Sequence, residues 1–517
     1  MKRIISLLAV IAMCIGIFAG CGNDQGAYVP TGDGLTWDED YTGPVYTRPD
    51  NEDGDGLTLT YYPDKSMNPL LATDFTNRAL FSLLYQSLFT VGRDYHVEPQ
   101  LCKSYRVSED MKTYTFYIED ARFSDGSKLT AKDVAAALQV AKESDFYGGR
   151  FFHVNEIALT EDGGVAFYLS TPFENLPLLL DIPIIKYDQL QLEHPLGTGP
   201  YVLDLASGAA ILRRNTQWWC KATLAVDMAA IGLVEAETPS QIRDEFEFSD
   251  LGLVCADPGS DYYADYRCDY ELWDCENGVF VYLACNMESK IFSIPEIRSA
   301  LVKAIDRDTL AAENYRGFAR STNLPASPLF PYYSQVLAAK YQYDGGEAMK
   351  AAVAGAQLPE GTTVTLLVNS DDSLRCRVAR SAAEMLRQCG LNVQMKEVDT
   401  EDYRYALRMR EYDLYVGKTK LSANMDLSSF FYTDGTLSYG KLNDVELYTL
   451  CKDALANHGN YYTLHQTVMN DGRLCPILFC SYAVYATRGL MTNLTPARDN
   501  IFYYSMGRTL EDALLKN

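Results

Sequence analysis

The sequence contains no Cys-x-x-Cys pair, no His-Glu-x-x-His and no Gly-x-Ser-x-Gly. The first absence removes the basic unit of zinc ribbons and thioredoxin-type redox sites. The other two remove the zinc-protease helix and the nucleophile turn of many hydrolases. Histidine is scarce: His96, His153, His194, His458 and His465 are the only five, and none stand at metal-ligand spacing. After the first 20 residues no apolar run approaches the length of a membrane span, and no internal repeat is visible. Positive charge is also short, with 45 Lys and Arg against 69 Asp and Glu and a net charge of −24. An acidic surface of this kind repels phosphate backbones, so no nucleic-acid partner is expected. Catalysis therefore has little support, no metal or other cofactor is expected, and a binding role becomes the leading class.

What is present begins at the N-terminus. Lys2 and Arg3 precede an apolar run over residues 4–18, and Ala19 and Gly20 precede Cys21. The run fits a signal peptide and falls short of the roughly 20 apolar residues of a spanning helix. Small-small-Cys at this position resembles a bacterial lipoprotein signal, with residues 1–20 removed and Cys21 carrying a diacylglycerol thioether. That predicts a lipid-anchored protein on the outer face of the cell membrane. Removing 20 of the 517 residues leaves 497 and a charge of −26, enough chain for two domains or one large two-lobed body. The 47% hydrophobic content supplies an ordinary core. Of thirteen cysteines, Cys14 and Cys21 fall in the signal and lipid site. The remaining eleven are odd in number, so at least one thiol is unpaired within the chain. Cys268 with Cys275 and Cys475 with Cys480 are near enough in sequence to pair, although a free buried thiol is the commoner state in a chain this large.

Residues 21–56 have no hydrophobic period and nine acidic residues, from Asp24 to Asp55, and they read as an extended acidic tether. Asn51 to Gly56 resembles the start of a calcium loop, but Tyr62 stands where the twelfth-position Glu is needed. Strands are predicted over 57–62, 114–118, 165–169, 201–203, 362–368 and 391–398. Helices are predicted over 76–88, from Ala131 behind a Thr130 cap, and over 296–312, 374–388 and 445–456. Residues 362–398 make one βαβ unit.

Eight phrases then fall in one order. They begin with Asn68-Pro69-Leu70 and run through Leu84-Tyr85, Tyr114–Ile118 and Phe123-Ser124-Asp125-Gly126 with Thr130 and Asp133. Gly197-Thr198-Gly199-Pro200-Tyr201, Asn215 with Trp218-Trp219, Tyr282 to Asn286 and Ile297 to Arg307 complete the order. In this the chain resembles the extracellular solute-binding proteins of the oligopeptide, dipeptide and nickel import class, family 5, over roughly residues 57–510. The resemblance implies an α/β, two-lobed, periplasmic-binding-protein-like fold (type II, cluster C) with an extra subdomain in lobe one. Lobe one would hold 57–270 plus 490–517, and lobe two 271–489. It also implies a peptide or similar small polar solute bound between lobes that close over it, delivery to ABC importer permease subunits, and a monomer. A peptide-signal sensor is the alternative from another class. Nickel-chelate or oligosaccharide binding is the rival within the fold.

Most matching phrases read as scaffold: a glycine turn at Gly126, a helix cap at Thr130 with Asp133, and ion pairs around Arg298, Asp306 and Arg307. Gly197-Thr198-Gly199 lacks the third glycine of a dinucleotide loop. The ligand-binding candidates are Asn68, Phe75 and Tyr85 near the first strand and helix, and Asn286 at the end of a lobe-two strand. Peptide-binding members usually show Gly-Trp and then an Asp that holds the α-ammonium. Here Gly417 is followed by Lys418, and the two ways of counting to the Asp reach Leu421 or Ala423. Tyr415, Lys418, Lys420, Asn424 and Asp426 are the candidates in this region, with Asp426 as substitute amine anchor and the lysines as partners for an anion.

Overall fold

The computed structural model describes residues 56–515 except 207, 250, 261–265 and 492–493. The signal segment, Cys21 and the tether lie outside the described residues, apart from the tether's last residue.

Two four-stranded sheets and a small two-stranded one, Phe89–Val91 with Val97–Pro99, build the first part. Thr58–Tyr61 pairs in parallel with Ala230–Glu235, which continues antiparallel through Ile211–Arg214 to Tyr201–Asp204. A second sheet is antiparallel throughout, in the order Cys102–Val107, Thr113–Ile118, Val165–Leu169, Val154–Leu159. Helix Ala131–Lys142 packs on it. Its start is a complete capping box, Thr130 accepting from the Asp133 amide while the Asp133 carboxylate accepts from the Thr130 amide.

The remaining sheet has seven strands around two long ones, Tyr270–Cys285 and Leu474–Thr487. The expected lobe boundaries at 270 and 490 fall at the ends of these strands, and the sheet runs through both. Leu253–Ala256, from the expected lobe one, pairs with residues 483–486. Leu414–Lys420 pairs with residues 279–285, at the other end of the long pair. The break between the two ends is a register shift between Glu276 and Phe280. Gly278 sits there at φ 68°, a left-handed conformation that glycine adopts without steric cost, with the Arg498 guanidinium laid against it. Beyond it, Thr363–Asn369, helix Ser373–Gln388 and Asn392–Val398 form the expected parallel βαβ unit.

Two helices differ from expectation. The leucine stripe over 76–88 is core as expected, with Leu80, Leu83, Leu84 and Leu88 all buried. The backbone, however, makes two short helices, Phe75–Arg78 and Phe81–Leu84, and then turns extended at Tyr85. The Leu84 carbonyl accepts from the Gly199 amide instead of continuing the helix. A Cβ at Gly197 or Gly199 would collide with that carbonyl, so these glycines serve close approach. The expected helix 296–312 is likewise two, Pro295–Ala304 and Arg307–Tyr315, because Asp306 caps the second by accepting from Thr309 N at 3.1 Å. Among the described residues Arg307 has no ion-pair partner; it is buried and donates to the carbonyls of Val302 (2.6 Å) and Pro476 (2.7 Å). All eleven described cysteines are free thiols, including those at 268, 275, 475 and 480. Among the described residues no helix is long and apolar enough to cross a membrane.

Candidate functional site

A cavity of about 120 Å³ lies beside the register shift in the long strands. Phe75, Phe81, Tyr85, Phe146, Tyr147 and Tyr482 supply its aromatic walls. Phe75 stacks on Tyr482 with ring centroids 3.5 Å apart. Five charged side chains line the same space: Arg78, Arg150, Asp181, Arg498 and Asp499.

Local structure fixes each of them. Asp74 caps the short helix that carries Phe75 and Arg78. Arg78 donates to the Ala72 carbonyl at 3.0 Å and to the Tyr147 hydroxyl at 2.8 Å, and its guanidinium lies 3.4 Å from the Phe146 centroid. Arg150 sits within a tight 3₁₀ turn, Gly148–Phe151, and forms an ion pair with Asp181. Arg498 and Asp499 sit in a turn closed by Ala497 and Asn500, with the Asp499 amide donating to the Glu276 carbonyl at 2.9 Å. Asp499 holds φ 56°, which aspartate tolerates better than most residues.

The end of strand Leu414–Lys420, from the expected lobe two, reaches this turn. Lys420 Nζ stands 2.6 Å from Asp499 Oδ1, donates to the Asn277 carbonyl at 2.7 Å, and lies 4.6 Å from the Phe146 centroid. Burial pushes the Lys420 amine down to about 8, with Asp499 acting against it. Arg498 donates one N–H to the Leu421 carbonyl. Arg498 Nε and Nη1, Asp499 Oδ2, Asn500 Oδ1 and Ser82 Oγ are buried without a hydrogen-bond partner among the described residues.

Of the candidates read from sequence, Phe75 and Tyr85 line this cavity, and Lys420 stands behind its wall against the lining residues Asp499 and Phe146. Tyr85 offers only its ring, because its hydroxyl donates to the carbonyls of Met67 (2.9 Å) and Pro195 (3.3 Å). The others are committed elsewhere. Asn68 is fully buried, and its amide donates to the carbonyls of Leu190 and Leu192, both at 2.9 Å. Asn286 does the same for Tyr412 (2.8 Å) and Arg410 (3.2 Å). Tyr415 is buried against Tyr282 and Tyr412. Lys418 pairs with Asp372 at 3.0 Å.

Asn424 and Asp426 belong to a second contact, beside Arg150 rather than in the cavity. Asp426 Oδ2 lies 3.2 Å from His153 Nε2, and Oδ1 accepts from Ser428 N and Oγ at 2.9 and 2.7 Å. Burial raises the Asp426 carboxyl, and the bonds from His153 and Ser428 outweigh it to hold the group below its ordinary range. Ser428, His153 and Asp426 have the composition of a catalytic triad but not its geometry. Serine and aspartate both approach Nε2, Nδ1 faces Ser170, and Ser428 is fully buried.

The sequence reading missed Arg78, Arg150, Asp181, Arg498 and Asp499. A signal existed only for the last two: Arg498-Asp499-Asn500 is a polar trio between Ala497 and the apolar Ile501-Phe502.

Residues 96–440 match the family model of bacterial extracellular solute-binding proteins, family 5. The chain belongs to that family. Among its relatives, the glutathione-binding protein GsiB of Salmonella typhi is 25% identical over 352 residues, covering 65% of this chain and 67% of the relative. GsiB of Escherichia coli O157:H7 is 25% identical over 350 residues, with the same coverage of both chains. The fold of this solute-binding protein is that of the ABC transporter substrate-binding protein CtaP from Listeria monocytogenes (TM-score 0.69, 18% identity, 90% of this chain and all of that one). It is also that of AppA from Bacillus subtilis, solved with a nonapeptide (TM-score 0.61, 19% identity, 87% of this chain and 99% of that one). The α/β, two-lobed architecture expected from the sequence is therefore the architecture found.

Proposed function

We propose that this chain is a lipid-anchored extracytoplasmic receptor that captures a short peptide or similar small polar solute in the aromatic cavity and hands it to an ABC permease. The observation that carries the reading is the meeting of Lys420 from one lobe with Asp499 and Phe146 from the other at the cavity's edge. A solute held there lies against Tyr482 of the expected lobe two as well as the lobe-one walls, and a ligand that touches both lobes is what biases a hinge toward closure. Aromatic walls with a few fixed charges suit a peptide, whose backbone and termini need partners once stripped of water. Relatives named for glutathione and a structural neighbour holding a nonapeptide support the same class. Cys21 is the proposed lipid acceptor, and tethering raises the local concentration for the permease encounter.

Native mass spectrometry of the purified protein, followed by denaturation, tests the solute. Released peptide masses are the expected result. An empty protein whose melting temperature no peptide shifts would overturn the reading. A C21S variant that still partitions with membranes would overturn the anchor.

A further inference from the structure

The charges around the cavity do not cancel. Arg150 is answered by Asp181, and Lys420 by Asp499. Arg78 and Arg498 have no carboxylate within ion-pair distance among the described residues. Arg78 is held by carbonyls, a phenol and the Phe146 ring. Arg498 is only 5% exposed and spends one N–H on a carbonyl, leaving Nε and Nη1 without partners at the cavity wall. A guanidinium cannot shed its proton, so burial without a full set of acceptors is costly. Beside these two cations are leftover acceptors: Asp499 Oδ2, Asn500 Oδ1 and the hydroxyl of Ser82. The same pocket thus offers two unanswered positive charges and a cluster of unanswered oxygens.

We propose that the cavity selects a zwitterion with two carboxylates and one amino group, such as a short acidic peptide, with Arg498 and Arg78 holding the carboxylates and Asp499 with Asn500 the ammonium. The assignment rests on the reading that this cavity is the solute site. It moves the amine anchor from the 417–426 region, where Asp426 is already satisfied, to the turn at 497–500. It also divides the two lysines once assigned to an anion, since each already has its own aspartate.

The test is titration calorimetry of the full-length protein, purified in detergent, with three probes: Ala-Glu-Ala, its isostere Ala-Gln-Ala, and N-acetylated Ala-Glu-Ala. Charge-assisted bonds of this kind predict that Ala-Glu-Ala binds at least about ten-fold tighter than either of the others. R498M removes the Glu-over-Gln preference, while the melting temperature of the unliganded protein stays level or rises because a buried unanswered charge is gone. R498K retains part of the preference. R78M supplies a second arm, whatever the folding of R498M. Equal binding of Ala-Glu-Ala and Ala-Gln-Ala, or a preference that survives R498M and R78M, overturns the charge assignment and leaves the cavity as the solute site. Failure of all three peptides to bind overturns both.

Discussion

Two polar contacts between the expected lobes make opposite use of the same kinds of group. At His153, Asp426 and Ser428, each polar side-chain group has a partner, and the cluster is largely buried. At Arg498, Asp499 and Asn500, where Lys420 docks, donors and acceptors remain unmatched in residues that line the cavity. The first arrangement is what a packed interface requires, since a half-satisfied buried network is costly. The second is tolerated only where something else completes it. Charge alone is therefore a poor guide to a ligand site; the satisfaction of the charge is the better one.

The sharpest way to break this comparison is to unbalance the satisfied contact. Asp426→Ala leaves His153 and Ser428 buried without their acceptor. Leaving a buried hydrogen-bonding group without its partner costs about 1–3 kcal/mol, and two are orphaned here, so a large fall in melting temperature and in the urea midpoint is expected. A change of less than about 1 kcal/mol would mean that the cluster is not the structural latch its geometry describes.

His465 tests the converse, that a lone unmatched group is not a site. Among the described residues neither of its ring nitrogens has a hydrogen-bond partner, and it is fully buried. Burial pushes its pKa down to about 3. The unfolded chain takes up a proton near pH 6.5 and the folded chain does not, so this residue's stabilising effect is complete above 6.5 and is lost as pH falls toward 3. The loss is about 1.4 kcal/mol per pH unit, or about 2.7 kcal/mol at pH 4.5. The variant H465L should flatten the melting temperature between pH 7 and 4.5 and leave solute affinity untouched. Equal acid sensitivity in the variant would show that the neutral, buried histidine is not its source.

Lys420 offers a smaller, reversible effect. Its amine titrates near 8, so raising the pH from 7 to 9 removes the charge that attracts Asp499 across the lobes. Solute affinity should weaken several-fold over that interval, and K420M should be weak at both pH values with the pH dependence gone. An affinity that is level from pH 7 to 9 would separate the lysine from closure.

How far all this was legible depends on range along the chain. The Thr130 cap with Asp133, the parallel βαβ unit and the buried leucines of 80–88 follow from neighbours a few residues apart, and they were readable. The break after Leu84 was not, because its cause is a hydrogen bond from Gly199. The split at Asp306 was nearer to hand, since aspartate before a helix is a cap, but continuous apolar spacing masked it. For the site, the sequence supplied the suspicion of an anion-binding cleft and the aromatic Phe75, yet it looked for the charges in 412–430. Arg78, Arg150 and Arg498 are brought together from positions far apart in the chain, and no local pattern marks them.

Lys418 closes the comparison as the counterpart to Lys420, two residues away on the same strand. It faces Asp372, which also caps helix Ser373–Gln388, and both side chains keep some exposure, 29% and 16%. Partly exposed pairs of this kind are worth about 0–1 kcal/mol. K418M should therefore lower stability by no more than that and leave solute affinity within about two-fold, because no ligand-facing group changes. Alternation along a strand sends successive residues to opposite faces, so 418 and 420 share one face. Their difference is then set by their partners: one lysine is neutralised by a helix cap within its own lobe, the other by a turn in the opposite lobe. A K418M variant as damaging to binding as K420M would show that the strand's charge as a whole, and not the single contact across the lobes, governs capture.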